Sequence, residues 1–504
     1  MKLVALQPDL PVRFLQDAAG AAAMPEREEQ PINLLTHFRG DLGRGNVLAG
    51  LADGLIGKDA VVDGPFGQKP LVYADYVASG RALMQVERFV LEQVLPYYAN
   101  SHTEASYCGG FITRLRREAR AAIAACCGAD AGHAVVFTGS GATAGLNRLC
   151  ALFGVGPGTL VVIGPYEHHS NILPWRESGA EVVEIPESSL GGPDLAVLAD
   201  TLARAGSGRR VVCAFSAASN VTGIVTDVAA VTRLVKAAGA RMIWDYAGGG
   251  PYLPIAMVPQ VGAEIDAIVV SPHKFIGGPG ASGVLVVRRD AVVSSRPTWP
   301  GGGTVRFVSP TAHDYSGSLE AREEAGTPNV VGDIRAALAF LVKDAIGAGT
   351  MQRRNRELAA RAIATWSSVE RLELLGSLTA PRLPIFAFRM RDGKGGHIHQ
   401  QLVTRMLSDR FGIQARGGCA CAGPYVHRLL GIGPAQSEAM RQAVLAGDEI
   451  AKPGFTRLNF SVLLPDEKVA FILDSVARLA AEAPAHQEGY DVDGTRAIFF
   501  PRAA

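Results

Sequence analysis

Ala267-Ile268-Val269-Val270-Ser271-Pro272-His273-Lys274 decides the reading of this chain: an apolar, strand-like run leads straight to a lysine, and the glycine-rich Gly277-Gly278-Pro279-Gly280 follows. A lysine at the end of a buried strand is partly desolvated, which favours its neutral, nucleophilic form. Twenty-nine residues upstream, Met242-Ile243-Trp244 ends on Asp245 in the same way. Similar apolar runs stand at Ala134–Thr138, Leu160–Ile163 and Val211–Phe215, and Val284–Val287 reads as a strand returning after the lysine loop. Helical patterns such as Asp227–Ala238 separate them. Over about Leu71 to Gly332 this alternation predicts an α/β fold, a mainly parallel sheet with helices on both faces.

After Asp333 the pattern changes to long helices (Ile334–Asp344, Arg353–Ser367, His397–Phe411, Asp466–Ala481) between strands such as Leu383–Arg389 and Thr456–Val462. The expected organisation is an irregular N-terminal extension over residues 1–70, a large domain over 71–333 and a smaller C-terminal α+β domain over 334–504. A chain of 504 residues has room for more than one core. Its net charge of +1 gives no reason to expect nucleic acid or an anionic membrane as partner. Asp, Arg, Gly or Pro interrupts every long apolar stretch, so no transmembrane span is expected. Pro8, Asp9, Pro11, Arg13 and Asp17 break any secretory core near the N-terminus. Seven cysteines without a disulfide framework point to a reducing cytoplasm.

Several chemical motifs fall at strand ends, where open α/β sheets bind ligands. A strand-end lysine and a strand-end carboxylate, Lys274 and Asp245, are the pair that pyridoxal phosphate needs. The lysine forms the Schiff base and the aspartate keeps the pyridine nitrogen protonated. Taken alone, the two residues read first as a buried ion pair or as unrelated loop positions. Thr138-Gly139-Ser140-Gly141-Ala142-Thr143-Ala144-Gly145 opens a helix after a strand, so backbone N–H groups and the helix dipole face a phosphate. Its Gly139-x-Gly141-x-x-x-Gly145 spacing also resembles a dinucleotide loop. Glu167-His168-His169-Ser170-Asn171 follows the next strand. No further ligand set accompanies the two histidines, so an imidazole stacked on a flat ring suits one of them better than a metal, and His169 reads as a solvated loop residue. Asn220 in Ser219-Asn220-Val221-Thr222-Gly223 is placed to bond a cofactor phenolate oxygen.

In the second domain stands Arg416-Gly417-Gly418-Cys419-Ala420-Cys421-Ala422-Gly423-Pro424. No second cysteine pair completes a metal site, because Cys126-Cys127 lies in an Ala-rich helical run where packing is the expected role. A glycine-flanked cysteine on a loop, five residues after an arginine, suits a reactive thiolate better. Farther on, Arg457 is suited to clamp a carboxylate in bidentate fashion, or to form a surface ion pair.

In this order the motifs resemble the fold-type I pyridoxal phosphate enzymes of the class V aminotransferase family. Within it the chain looks most like cysteine desulfurases and selenocysteine lyases, near the desulfurase domain of molybdenum cofactor sulfurases, from about Tyr73 to Leu479. The resemblance implies pyridoxal 5′-phosphate held covalently by Lys274, with Asp245 on the pyridine nitrogen, His168 on the ring face and Asn220 on the ring oxygen. Gly141, Ala142, Thr143, Ser271 and His273 would cradle the phosphate, joined by Thr327 of Gly326-Thr327-Pro328-Asn329 from the partner in a homodimer. Arg457 and Arg416 would hold the substrate carboxylate. Cys421 would accept sulfur from L-cysteine as a persulfide, releasing alanine and passing sulfur to an acceptor protein. An ordinary thiol ionises near about 8.5, so Arg416 or a loop N–H must help.

The chain departs from its relatives' pattern. Asp245-Tyr246-Ala247-Gly248 lacks their glutamine after Asp-x-Ala, Ala142 replaces one of paired threonines, and the reactive loop has two cysteines where relatives commonly have one. Only about forty residues follow Ser461, so the additional domain of full-length molybdenum cofactor sulfurases is not expected. Selenocysteine lysis, transamination and β-elimination on the same fold stay open, as does a cofactor-binding protein without catalysis. A nicotinamide-dependent oxidoreductase lacks a convincing acidic ribose partner about twenty residues past the glycine loop's strand.

Overall fold

The computed structural model describes residues 33–101, 103–206 and 208–502. Its main sheet has seven strands: β1 (His133–Gly139), β2 (Leu160–Ile163), β3 (Glu181–Glu184), β4 (Val211–Ser216), β5 (Arg241–Asp245), β6 (Ala267–Val270) and β7 (Gly283–Arg288). Their order is β1-β7-β6-β5-β4-β2-β3. Strands β2 to β6 pair in parallel, and β7 runs antiparallel to both β1 and β6. The sheet is mainly parallel, as the alternation predicts. The apolar runs form strands because alternate residues are buried on opposite faces. Val162, Phe215, Trp244, Ile268 and Val270 meet helices Tyr107–Cys126 and Val330–Ile346. Val161, Ala214, Ile243, Val269 and Leu285 meet helix Gly141–Leu152 and Trp175. Strand β3 escapes the sequence reading because it is an edge strand with Glu181 and Glu184 at its ends and no fully buried residue.

With β7 reversed against both neighbours, β1 points the same way as β6. The carboxyl ends of β1, β2, β4, β5 and β6 therefore share one edge, which positions the site.

A second sheet contains β8 (Leu372–Leu374), β9 (Ile385–Met390), β10 (Arg416–Gly418) and β11 (Phe455–Asn459), antiparallel in the order β8-β9-β11-β10. Leu358 and Trp366, Leu402 and Met406, and Ile472 and Val476 bring three helices onto it around Phe388 and Leu458. A short parallel pairing of Val72–Tyr73 with Ile413–Gln414 carries the chain from the first core to the second. It sets Asp75 beside Arg416, since each lies two residues past the pairing.

Two expectations need correction. The boundary at Asp333 falls inside helix Val330–Ile346, whose Val330, Ile334, Leu338 and Phe340 pack in the first core. Residues 34–70 are not irregular: helix Leu34–Leu42 buries Leu35, Phe38 and Leu42, and Asn46 caps a second helix, Val47–Asp53. The reading of residues 1–32, including the absent secretory core, lies outside the described residues. No helix among the described residues is long and apolar enough to cross a membrane.

Candidate active site

The five strand ends close around a cavity of about 220 Å³. Gly141, Ala142, Thr143, His168, Asn220, Asp245, Ser271, His273 and Lys274, all singled out in the sequence, line it, together with Ser170, Ser216 and Gly248. Size does not pick the site, because a larger cleft of about 430 Å³ around Phe38 and Phe89 has only exposed titratable groups. Convergence of buried ionisable groups does.

Lys274 ends a short turn, Pro272–Lys274, at the mouth of β6. Burial pushes its amine down to about 8; Asp245 opposes the shift, while Arg457 adds to it. Asp245 is 4% exposed. One of its oxygens accepts from Ala247 N at 2.7 Å, and no other protein donor reaches it among the described residues. Burial holds this carboxyl above the usual range, against the pull of Ala247 N–H and Lys274. His168 accepts from Ser170 N at its Nδ1, and burial beside Lys274 lowers it to about 4, so near pH 7 it is a neutral ring with Nε2 protonated.

Another part of the cavity is a small cradle at a helix start. Gly141 starts helix Gly141–Leu152 with φ +62°. A Cβ there would stand 2.9 Å from Ser271 Oγ and 3.1 Å from His273, so only glycine leaves the cradle open. Ala142 N donates to Ser271 Oγ at 2.9 Å, and Thr143 Oγ1 bonds Ser170 Oγ at 2.7 Å. Thr327 is exposed on the loop before helix Val330–Ile346 and does not line its own chain's cavity.

The cysteine loop is tied to the cavity from outside. Asn220 Nδ2 donates to Ala420 O at 2.9 Å, while Asn220 Oδ1 is buried without a partner among the described residues. His169 N donates to Cys421 O at 2.8 Å, and Gly423 N donates to His169 Nε2 at 2.9 Å. His169 is therefore a tether and not the solvated loop residue that the sequence suggests. These bonds hold Ala420 at φ +49° and Cys421 at φ +54°. The left-handed region costs a side-chain-bearing residue roughly 1–2 kcal/mol. Cys421 is exposed and Cys419 half-buried, while Cys127 is buried in the first core.

Both arginines converge on Asp75, which sequence reasoning missed. Arg457 is 3% exposed; its Nη2 donates to Asp75 Oδ1 at 2.9 Å and its Nη1 to Asn220 O at 2.9 Å, leaving Nε buried and unpaired. It is no surface ion pair. Removing one partner from such a buried pair typically costs about 3–5 kcal/mol. Arg416 is half exposed and donates from Nε to Asp75 Oδ2 at 2.9 Å, which leaves its two terminal nitrogens without a protein partner among the described residues. Glu167 lies beneath the wall. It accepts from Ser216 N and Oγ at 2.8 and 2.7 Å and from Asn171, and burial raises it to about 8. The described residues contain no cluster of three or more His, Cys, Asp or Glu able to hold a metal.

The tether makes the loop sensitive to pH. Burial and Arg176 hold His169 below the ordinary histidine range, and its bond to Gly423 N–H needs an unprotonated Nε2. Because the folded pKa is depressed, the tether is complete above the unfolded value of about 6.5 and is lost as pH falls through the lower folded value. Amide-exchange protection of the 417–428 segment should accordingly fall on acidification. In His169→Phe it should be low and independent of pH; protection equal to the parent's at pH 8 would remove His169 from this role.

The family described as Aminotransferase class-V matches residues 72–443. The chain is 32% identical over 365 residues to a cysteine desulfurase of Pectobacterium atrosepticum, covering 71% of this chain and 85% of that one. It is 30% identical over 367 residues to a probable cysteine desulfurase of Vibrio cholerae, covering 70% and 85%. Among solved structures, the apo cysteine desulfurase of Thermococcus onnurineus superposes with a TM-score of 0.67 at 24% identity, over 82% of this chain and 95% of that one.

Proposed function

The chain belongs to the class V aminotransferase family, and from that premise we propose that it is a pyridoxal 5′-phosphate-dependent cysteine desulfurase. It takes sulfur from L-cysteine as an enzyme persulfide and releases L-alanine. The observation that carries the reading is the convergence of Lys274, Asp245, neutral His168 and an anion cradle on one cavity, with the Cys421 loop bonded to its wall. Desulfurase names among relatives at about 30% identity support the choice of reaction.

The residues fit the cofactor. The cradle at Gly141 exists only because a Cβ is missing, Asp245 has an oxygen free of protein donors, and the orphaned Asn220 Oδ1 lies at the wall. Gly141, Ala142, Thr143, Ser271 and His273 would hold the phosphate, Asp245 the pyridine nitrogen, His168 the ring face and Asn220 the ring oxygen. Pyridoxal phosphate supplies an electron sink for the charge left when a substrate's α-proton is removed. Lys274 is suited to hold the cofactor covalently and then to move that proton, since burial brings its amine down to about 8, much nearer neutral pH than an ordinary lysine. Arg416 offers two terminal nitrogens to the substrate carboxylate, and Asp75 holds it level with Arg457. Cys421 Sγ then attacks the substrate sulfur: the S–S bond forms, the C–S bond breaks, and the carbon takes a proton to become alanine. An amino-acid screen scoring alanine, sulfide, selenide and keto acid tests this reading; keto acid without alanine would move the chain to the transaminases or β-lyases.

The working unit is a homodimer. Thr327 is exposed and does not line the Lys274 cavity of its own chain, and Leu91, Leu95, Tyr97 and Tyr107 form an exposed apolar face. Thr327→Val keeps the shape and removes one hydroxyl donor. Its cofactor dissociation constant should rise about tenfold, with the melting temperature of the cofactor-free protein unchanged. Full activity from a strictly monomeric preparation would sink the shared site. All seven cysteines are free, which supports a reducing, cytoplasmic setting; an acceptor protein would take the sulfur from Cys421.

A further inference from the structure

Cys419 and Cys421 occupy the first and third positions of one tight turn. Ala422 N donates to Cys419 O at 3.1 Å, and the two residues between, Ala420 and Cys421, both have positive φ. This is a left-handed turn with positive φ at both central positions, built here without the glycine or asparagine that usually accepts those angles. The outside bonds from Asn220, His169 and Gly423 keep the chain bent at this point. Two Cα steps of about 3.8 Å, folded through a turn, fall within the roughly 4.4–6.8 Å separation that a disulfide spans. Gly417 and Gly418 precede the pair in β10, paired to β11, and Gly423 N is bonded to His169, so the turn is held at both ends. Of the two thiols, Cys421 is exposed, and Cys419 is half-buried and packed against the apolar cluster that contains Tyr425, Val426 and Phe455.

Resting on the desulfurase reading, we infer that Cys419 is a built-in release thiol that discharges sulfur from Cys421 when no acceptor takes it. The Cys419 thiolate attacks the inner sulfur of the Cys421 persulfide. A Cys419–Cys421 disulfide forms, the persulfide S–S bond breaks, and the outer sulfur leaves as hydrosulfide. The balance closes without an external oxidant: the sulfane sulfur is reduced to sulfide as the two cysteine sulfurs are oxidised to the disulfide. The loop then holds no nucleophile, so the enzyme rests inactive until an external thiol reopens it. A persulfide on an exposed cysteine is vulnerable to further oxidation, and this discharge empties it. Sulfur thus proceeds only when an acceptor reaches Cys421 before Cys419 does.

The test is a single turnover of reduced, cofactor-loaded enzyme with one equivalent of L-cysteine, without oxygen, added thiol or acceptor. Alanine and sulfide are counted, and the alkylated tryptic peptide Gly417–Arg428 is weighed. The expected wild-type result is one alanine and one sulfide per site, with an unalkylated peptide about 2 Da lighter than its dithiol form that dithiothreitol restores. Cys419→Ser should still release alanine in that turnover. It should keep a mass gain of about 32 Da on Cys421 and release sulfide at least about tenfold more slowly. A wild-type peptide that retains the extra sulfur on Cys421, or carries it on Cys419, with sulfide release no faster than in Cys419→Ser, overturns the inference. Loss of alanine itself in the wild type fails the desulfurase reading, a separate signature.

Discussion

Lys274→Ala should give a folded protein that takes no borohydride-fixed pyridoxyl label at position 274 and turns over L-cysteine at least about 10³-fold more slowly. The amine is brought down to about 8 by burial against the opposing pull of Asp245. About a tenth of such a group is neutral at pH 7, against less than a thousandth of a lysine titrating near 10.4. That difference is what a desolvated strand end provides and a surface lysine lacks. The fold should survive because its turn is held through the backbone, by Lys274 N to Ser271 O at 3.0 Å and Gly80 N to His273 O at 2.9 Å. Lys274→Arg, always charged, should fail equally, so the loss traces to the neutral amine and not to the charge. A Lys274→Ala protein that keeps the label, seen by peptide mapping, would move the covalent site elsewhere.

Cys421→Ser should lower alanine formation from L-cysteine by about 10³-fold while leaving cofactor binding intact, because a hydroxyl near neutral pH is too poorly ionised to attack sulfur. The structure separates the two loop cysteines by exposure: Cys421 is open and Cys419 half-buried. Cys421 also lies within electrostatic reach of the Lys274 amine. The left-handed backbone at Cys421 is held by His169, so the reactive residue is presented by a strained, tethered turn and not by a slack loop. A fully active Cys421→Ser with the persulfide on Cys419 would reverse the assignment.

Much of the arrangement is legible in the sequence because parallel strands buried on both faces read as short apolar runs, and each run stops where its polar chemistry begins. Ala267–Val270 and Met242–Trp244 are of this kind, and the register that sets Asp245 level with Val269 follows from their pairing. What the sequence hides is long-range or carried by the backbone. Asp75 follows a two-residue strand too short to show a period, and its partners Arg416 and Arg457 are more than 300 positions away. His169 acts through its own N–H and one ring nitrogen, which no spacing reveals. Helix Leu34–Leu42 has only three buried positions in nine residues, a weak signal beside a Pro- and Gly-rich neighbourhood. Arg457 alone reads first as a surface ion pair, and its burial, with Nη1 and Nη2 bonded to Asn220 O and Asp75, is not visible in the sequence.

The most direct test of the account is one turnover of Cys419→Ser with sulfur-labelled L-cysteine, since that variant removes the competing thiol. One alanine per cofactor and the label on Cys421 of the 417–428 peptide are the expected result, with neither formed in Cys421→Ser or Lys274→Ala. Alanine formed without label on any cysteine, or label on Cys421 without alanine, would contradict it.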